Sequence, residues 1–278
     1  MKNYYMEKTK SCEPIEQSVK SAVDVLLQFD RLSNNPDKEI LKQRVKKQLE
    51  TDGCVTLVMF GCLDWINAKL FTSNPEEFIS DITRENDLFM PRVPKINEIV
   101  KKLQLNSIAA KVTIILGDTD IDEYFEGILK SAGITLNKQE LDMRTNKYRL
   151  DFSSRVKRKI LSNTEVIYWS KIASLFNDIL VDIPESILQD GINSMTRVYT
   201  GVNYEKLDLK DDDKAFLNAS KKRIGMYARQ GEMVNKMLNG IILQTETPWI
   251  LSSSMLKINS PDLPVIYPWI RSEELGTI

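Results

Sequence analysis

The chain has 278 residues, a formal net charge of −1, and no histidine. Because histidine is the commonest general base and metal ligand near neutral pH, its absence excludes Ser-His-Asp and Cys-His hydrolases and histidine-ligated metal sites. The near-zero net charge gives no overall attraction to nucleic acid or to an anionic membrane. An enzyme of this composition must work with carboxylates, lysine, arginine, tyrosine or backbone dipoles.

Composition and cysteine content indicate an ordinary soluble, cytoplasmic protein. Hydrophobic residues make up 42% of the chain and charged residues 28%, which is typical of a globular protein with a sizeable core. Three cysteines, Cys12, Cys54 and Cys62, are too few and too odd for a disulfide framework, so reduced thiols are expected. No secretory signal and no apolar run of membrane-spanning length is found, so no membrane partner is expected.

The N-terminal 50 residues predict a frayed tail followed by two helices. Pro14 opens the first helical pattern, and Asp37 starts the second, which runs to about Glu50. We expect residues 1–50 to form a tail and helical segment, and residues 51–278 to form a single compact α/β unit.

Two apolar runs in the next section predict buried strands. Val55–Phe60 and Val112–Leu116 show no polar alternation, which is typical of strands covered on both faces in a parallel sheet. Helices are predicted at Lys95–Leu103, between these strands, and at Asp120–Ala132, after the second one.

The second half of the chain continues the alternation of helix and strand. It predicts, in chain order, a long helix at Lys138–Leu161, a strand at Glu165–Trp169, helices at Lys171–Leu180, Glu185–Tyr199 and Ala215–Leu238, and short strands within Ile241–Ile270. This alternation predicts a Rossmann-like α/β fold, with a mainly parallel central sheet flanked by helices.

A loop after the second predicted strand is the first candidate site. Ligands of open α/β sheets bind just beyond the carboxyl ends of the strands, and Asp118 follows such an end directly. Asp118 or Asp120 could bind an amine or act as a base. Asp120 is also a good helix N-cap, with Glu123 completing a capping box.

Cations provide the second group of candidates. Lys69 follows the first strand and could bind an anion. Within the predicted helix at 215–238, Arg223 and Tyr227 are i,i+4 neighbours, and Lys222 and Arg229 share a face at i,i+7. Such a face could clamp a phosphate or carboxylate, or could simply be solvated. No glycine-rich dinucleotide or P-loop motif is present, and neither a cofactor nor a metal ion is expected.

Taken in order, several segments resemble the isocyanide (isonitrile) synthases of the pyoverdine/dityrosine biosynthesis family. The matching segments are Asn67-Ala68-Lys69, Pro94 with Glu98, Gly117-Asp118-Thr119, Ser220-Lys221-Lys222, Ala228-Arg229, Met255–Pro261 and Tyr267-Pro268-Trp269. Two histidines of the family pattern are replaced, by Asn259 and Ile270.

The resemblance implies a biosynthetic enzyme of secondary metabolism. It would convert an amino-acid amino group to an isonitrile, with the sugar phosphate ribulose 5-phosphate as carbon donor. Under this resemblance Asp118 would bind the amine or act as a base, and Lys69, Lys222 and Arg229 would clamp a phosphate or carboxylate. Together with the residues found by spacing and by a second resemblance, the candidate catalytic residues are Asp118, Asp120 and Tyr227, and the candidate substrate-binding residues are Lys69, Lys222, Arg223, Arg229, Glu246, Asn259 and Tyr267.

A second resemblance leads to a different activity. Glu246-Thr247-Pro248 and Tyr267-Pro268 are similar to the Glu-x-Pro and Tyr-Pro elements of tRNA-dependent cyclodipeptide synthases, which are also Rossmann-like. Their nucleophilic serine would fall at Cys62 or Leu63, and charged tRNA would be the partner. A third alternative is a non-catalytic Rossmann-like protein that binds a ligand.

Overall fold

The structure is a computed structural model that describes residues 13–31, 38–62, 89–117, 149–150, 152–189, 191–192, 214–246 and 253–270. In chain order its elements are α1 (Glu13–Phe29), α2 (Lys38–Thr51), β1 (Cys54–Cys62), a 3-10 turn (Met90–Arg92), α3 (Val93–Leu105), β2 (Ala109–Gly117), α4 (152–159), β3 (Asn163–Tyr168), α5 (Trp169–Ile172), a second 3-10 turn (Ala173–Phe176), α6 (185–189), α7 (Lys214–Lys236), β4 (Ile241–Glu246), α8 (Ser253–Leu256) and β5 (Val265–Ile270).

The described strands form one five-stranded sheet in the order β3-β2-β1-β4-β5. Each neighbouring pair is parallel, so all five carboxyl ends lie along the same edge. After β1, the chain adds β2 and β3 on one side of it, and then adds β4 and β5 on the other side. The boundary between β1 and β4 is therefore the topological switch point of a doubly wound sheet. The predicted Rossmann-like α/β fold is confirmed.

Each face of the sheet packs against its own set of helices. The first face carries α1 to α4, and its core includes Val55, Leu57 and Met59 of β1. The second face carries α5 to α8, and its core includes Val58 of β1. Successive side chains of a strand point to opposite faces of the sheet. Because helices cover both faces here, both sets of side chains are buried, and the strand has no alternation of apolar and polar residues. The N-terminal helices α1 and α2 therefore share a core with the strands.

The pairing between β1 and β4 is short. Over the described residues it joins Leu57–Val58 to Ile241–Ile242, although β1 continues to Cys62 and β4 to Glu246. By contrast, β1 pairs with β2 along its whole length. The last four residues of β1 and β4 thus run on to the carboxyl edge beyond their common ladder, and a crevice is expected there.

A polar network holds α2 against the opposite, amino edge of the sheet. The buried Arg44 of α2 donates to the backbone carbonyl of Asn235 at 3.1 Å and also to its side-chain oxygen. Asn235 in turn donates to a carboxylate oxygen of Asp262 at 2.9 Å. These bonds join α2, the end of α7 and the loop that enters β5. Burial lowers the pKa of Arg44 and the nearby Asp262 charge acts to raise it.

Most predicted elements have the expected type, and two end differently for identifiable reasons. The predicted helix at 171–180 ends at Phe176, because the chain tightens to a 3-10 turn and the Phe176 ring stacks on Trp169 at 5.7 Å. The predicted strand at 165–169 ends at Tyr168, because Trp169 already begins α5.

A third predicted element also ends at a different residue, and some predictions fall on residues that the structure does not describe. The predicted helix at 138–161 ends at 159, where the side chain of Asn97 donates to the carbonyl of Lys159 and accepts from the amide of Leu161. The predicted helix at 120–132, residues 138–148 of the next predicted helix and residues 193–199 lie outside the described residues. None of the helices in the described ranges is long and apolar enough to cross a membrane.

Two glycines of α7 give a matched test of its packing. A Cβ at Gly231 would overlap the backbone carbonyl of Leu256 in α8, whereas a Cβ at Gly225 would meet only the flexible end of Arg229, at 3.3 Å. We expect Gly231→Ala to lower the free energy of unfolding by about 1–3 kcal/mol. Gly225→Ala should leave it unchanged or raise it by up to about 1 kcal/mol. Urea denaturation measures both; equal effects would contradict this packing.

Candidate functional site

The carboxyl edge at the switch point is the candidate site. On β1, the half-buried Phe60 belongs to the second-face core, and Gly61 follows it. On β4, Gln244 has the same orientation as Ile242, two residues earlier, and is buried. These side chains line the second-face side of the region where the β1–β4 ladder has ended.

Helix α7 crosses the second face above this region. Its Val234 lies beside Gly240 and Val58, at the level where β4 begins. Tyr227 is seven residues before Val234, or about 10 Å along the helix, and Arg223 is eleven residues before it, or about 16 Å. Tyr227 therefore lies toward the carboxyl edge from Val234, in the core that also holds Val58, and Arg223 lies about one helical turn farther in that direction.

Arg223 and Tyr227 form the part of the predicted clamp that faces the sheet. Tyr227 is 5% exposed and packs in the second-face core, while Arg223 is half-buried. Residues four apart lie on the same side of a helix, and helical side chains lean toward its N-terminus. Arg223 and Tyr227 thus share the side of α7 that faces the sheet.

Lys222 and Arg229 belong to a different side of α7. They lie about 100–160° around the helix axis from Arg223 and Tyr227, and Lys222 is exposed. The guanidinium of Arg229 rests against Gly225, and its buried Nε has no hydrogen-bond partner. The four residues predicted as one clamp therefore do not share one side of α7: Arg223 and Tyr227 face the sheet, Lys222 is exposed, and Arg229 is half-buried on another side.

Glu246 and Tyr267 come from the two neighbouring strands β4 and β5. Glu246 is the last residue of β4 and pairs in register with Ile270. Tyr267 is half-buried and packs against the second-face core, the same core that holds Tyr227. The side chain of Glu246 lies outside the described part of the structure.

Each outer strand of the sheet has an aromatic residue at or next to its carboxyl end, and an arginine lies over the ring of each. At the end of β3, the guanidinium of Arg149 lies 5.9 Å from the centre of the Tyr168 ring and donates to the hydroxyl of Ser170 at 3.0 Å. Near the end of β5, the guanidinium of Arg92 lies 5.9 Å from the Trp269 ring. Such pairs restrain arginines electrostatically. Sequence reasoning missed both, because the partners are distant along the chain.

Asn259 lies at the other end of the sheet. It belongs to the loop that enters β5, and it donates to the carbonyl of Leu180 at 3.0 Å and to a carboxylate oxygen of Glu232 at 3.1 Å. Burial of Glu232 acts to raise its pKa, but hydrogen bonds from Lys236 and Asn259 and the Lys236 charge outweigh burial, so the pKa is lowered. Asn259 thus joins α7 to a neighbouring loop, away from Tyr227.

Three predicted site residues, Asp118, Asp120 and Lys69, lie outside the described residues. In the ranges that the structure does describe, no group of three or more Cys, Asp or Glu side chains could hold a metal ion. No protein-family model matches the chain, and no curated protein matches it.

The Glu232 pair makes stability depend on pH in a defined direction. A carboxylate whose pKa is lower in the folded state stabilises the fold above its unfolded pKa of about 4.3, and this contribution is lost as the pH falls through the folded value. Glu232→Gln should therefore lower the free energy of unfolding at pH 7 and have a smaller effect at pH 3. Glu50→Gln, at an exposed position, is the control. A loss for Glu232→Gln that is equal at both pH values would contradict this assignment.

Proposed function

We propose that the protein is an amino-acid-converting enzyme of the tRNA-dependent cyclodipeptide synthase type, with its site between the carboxyl ends of β1 and β4. The observation that carries the proposal is the position of its motif residues. Glu246 ends β4 and Tyr267 lies on β5, beside the switch point, where doubly wound sheets bind their ligands. Asn259, which stands where the isocyanide-synthase pattern has a histidine, lies at the amino ends of the strands instead.

The proposed chemistry transfers aminoacyl groups between esters and amines. A nucleophile attacks the ester carbonyl carbon of one charged tRNA and releases the tRNA 3′-hydroxyl. The amine of a second aminoacyl-tRNA then attacks the carbonyl carbon of this acyl-enzyme, which releases the enzyme nucleophile and forms a peptide bond. The amine of the first residue finally attacks the ester carbonyl of the second, which closes the ring and releases the second tRNA. The family's serine falls at Cys62 or Leu63; a Cys62 thiolate would give a thioester as the first intermediate. Tyr227 supplies a phenol beside this site, and Glu246 would hold the substrate amine.

The surface of α4 supports a polyanionic partner. Lys157, Arg158 and Lys159 are all exposed on this helix, and the sequence from 152 to 164 contains no acidic residue. Clusters of lysine and arginine gain affinity for nucleic acid by displacing its counterions. Charged tRNA fits such a surface, although the net charge of the whole chain is near zero.

The first test measures both product and tRNA binding. Incubation with charged tRNA should give a cyclic dipeptide, detected by mass spectrometry, and Tyr267→Phe and Glu246→Gln should each lower the rate by about 10²-fold or more. Lys157→Glu/Arg158→Glu should weaken tRNA binding at least about tenfold and flatten its dependence on salt. Lys221→Glu/Lys222→Glu, on the outward side of α7, is the matched control. Absence of product from the unmodified protein, or equal loss of tRNA binding in both double variants, would count against the proposal.

An isocyanide-synthase activity is the second candidate, and the pair Arg223 and Tyr227 favours it. An arginine directed to the carboxyl edge can bind a phosphate through two parallel hydrogen bonds, as ribulose 5-phosphate would require. A neighbouring phenol can hold or donate a proton during carbon–carbon cleavage.

The second candidate has its own discriminating measurement. With amino acids and ribulose 5-phosphate labelled at C2, the label should appear in the amino-acid product. Arg223→Gln should raise KM for the sugar phosphate about 10- to 100-fold, which is the loss of one charge-assisted contact, while Lys222→Gln leaves it unchanged. Equal changes in KM for the two variants would contradict the assignment of Arg223 as the phosphate-binding residue. If neither substrate set is turned over, a ligand-binding protein without catalysis becomes the better account.

A further inference from the structure

We infer that Asp30, at the end of α1, is a positioning residue for Tyr267. Its carboxylate oxygen accepts the backbone N–H of Tyr267 at 3.1 Å, and the backbone N–H of Arg31 donates to the carbonyl of Tyr267 at 3.1 Å. Two consecutive residues therefore satisfy both backbone groups of Tyr267. The functional meaning of this contact rests on the proposed function, in which Tyr267 is one of the motif residues of the site.

The contact lies at a bulge in β5. Leu243 of β4 pairs with Ile266, and Thr245 pairs with Trp269, so Tyr267 and Pro268 together lie opposite the single residue Gln244. Backbone groups of successive strand residues point alternately to the two sides of the strand, so Pro268 stands where an N–H directed toward β4 would be needed. Proline has no N–H, and prolines within sheets are found at bulges and edges. The proline explains why the ladder is interrupted here.

The bulge determines which face each neighbouring side chain reaches. Ile266 and Trp269 both pack into the first-face core, although residues three apart in a regular strand point to opposite faces. Tyr267 packs against the second-face core, with Tyr227. One additional residue thus directs Trp269 toward Arg92 and Tyr267 toward the candidate site. Bulges commonly redirect side chains next to active sites in this way.

Asp30 is a firm support for this bulge because α1 is anchored in the core. Leu26 and Phe29 of α1 are buried in the first-face core, and the amide of Asp30 continues the helix by donating to the carbonyl of Leu27 at 3.2 Å. The acceptor for Tyr267 is therefore carried by a packed helix end. Loss of the Asp30 carboxylate should allow the bulge to shift and should misplace the Tyr267 ring relative to Tyr227.

The test reads the position of Tyr267 separately from activity. The full chain is prepared with 3-fluorotyrosine at its nine tyrosines, and the ¹⁹F signal of Tyr267 is identified as the one lost in Tyr267→Phe. Asp30→Ala should shift that signal. Asp30→Asn keeps the acceptor oxygen and should restore the original position. Asp24→Ala, at an exposed carboxylate of the same helix, should leave it unchanged.

Turnover with charged tRNA links the position to the chemistry. Asp30→Ala should lower kcat about 10- to 100-fold with little change in KM, and should have no further effect in a Tyr267→Phe background, whereas a loss of stability alone would act in both backgrounds. A Tyr267 signal that stays in place in Asp30→Ala, or that moves as much in Asp24→Ala, would overturn the inference. If the signal moves as expected but the unmodified protein forms no product, the proposed function fails and the positioning contact stands.

Discussion

The direction of the five strands is the constraint on which the rest of the structure depends. Because all strands are parallel, their carboxyl ends share one edge, and helices must cover both faces to bury the strands. The order of the strands reverses between β1 and β4, and there the two strands lose their common ladder after Val58 and Ile242. Helix α7 crosses above this point and brings Arg223 and Tyr227 to it. The candidate site follows from this topology together with the residues that happen to lie there.

Polar residues have different roles at the two ends of the sheet. At the amino edge, Arg44 with Asn235 and Asp262, and Glu232 with Asn259, join helices to loops through bonds that are internally satisfied. At the carboxyl edge, Arg92 and Arg149 lie over Trp269 and Tyr168, aromatic residues of the outer strands that pack on the first face. The first set of contacts joins the elements of the fold, and the second set restrains two arginines on the face opposite Tyr227 and Tyr267.

The sequence predicted the helices and strands better than it predicted which residues would be in contact. Apolar runs identified β1 and β2, because strands covered on both faces have a local signature. Helical spacing likewise identified the pair Arg223 and Tyr227. The spacing did not show which side of α7 would face the sheet, so Lys222 and Arg229 were grouped with them. No feature of the sequence around Asp30 indicated its contact with Tyr267, because the two residues are 237 positions apart along the chain. A contact of that kind exists only once the strand order has been established.

A photo-crosslinking experiment tests the central claim, that substrate binds between the carboxyl ends of β1 and β4. A benzoylphenylalanine replaces Phe60, on the carboxyl half of β1, in one protein, and replaces Leu180, which is 92% exposed beside the Asn259 loop, in another. Irradiation in the presence of charged tRNA should give a covalent complex from position 60 and none from position 180. A complex formed from position 180 alone would contradict the account.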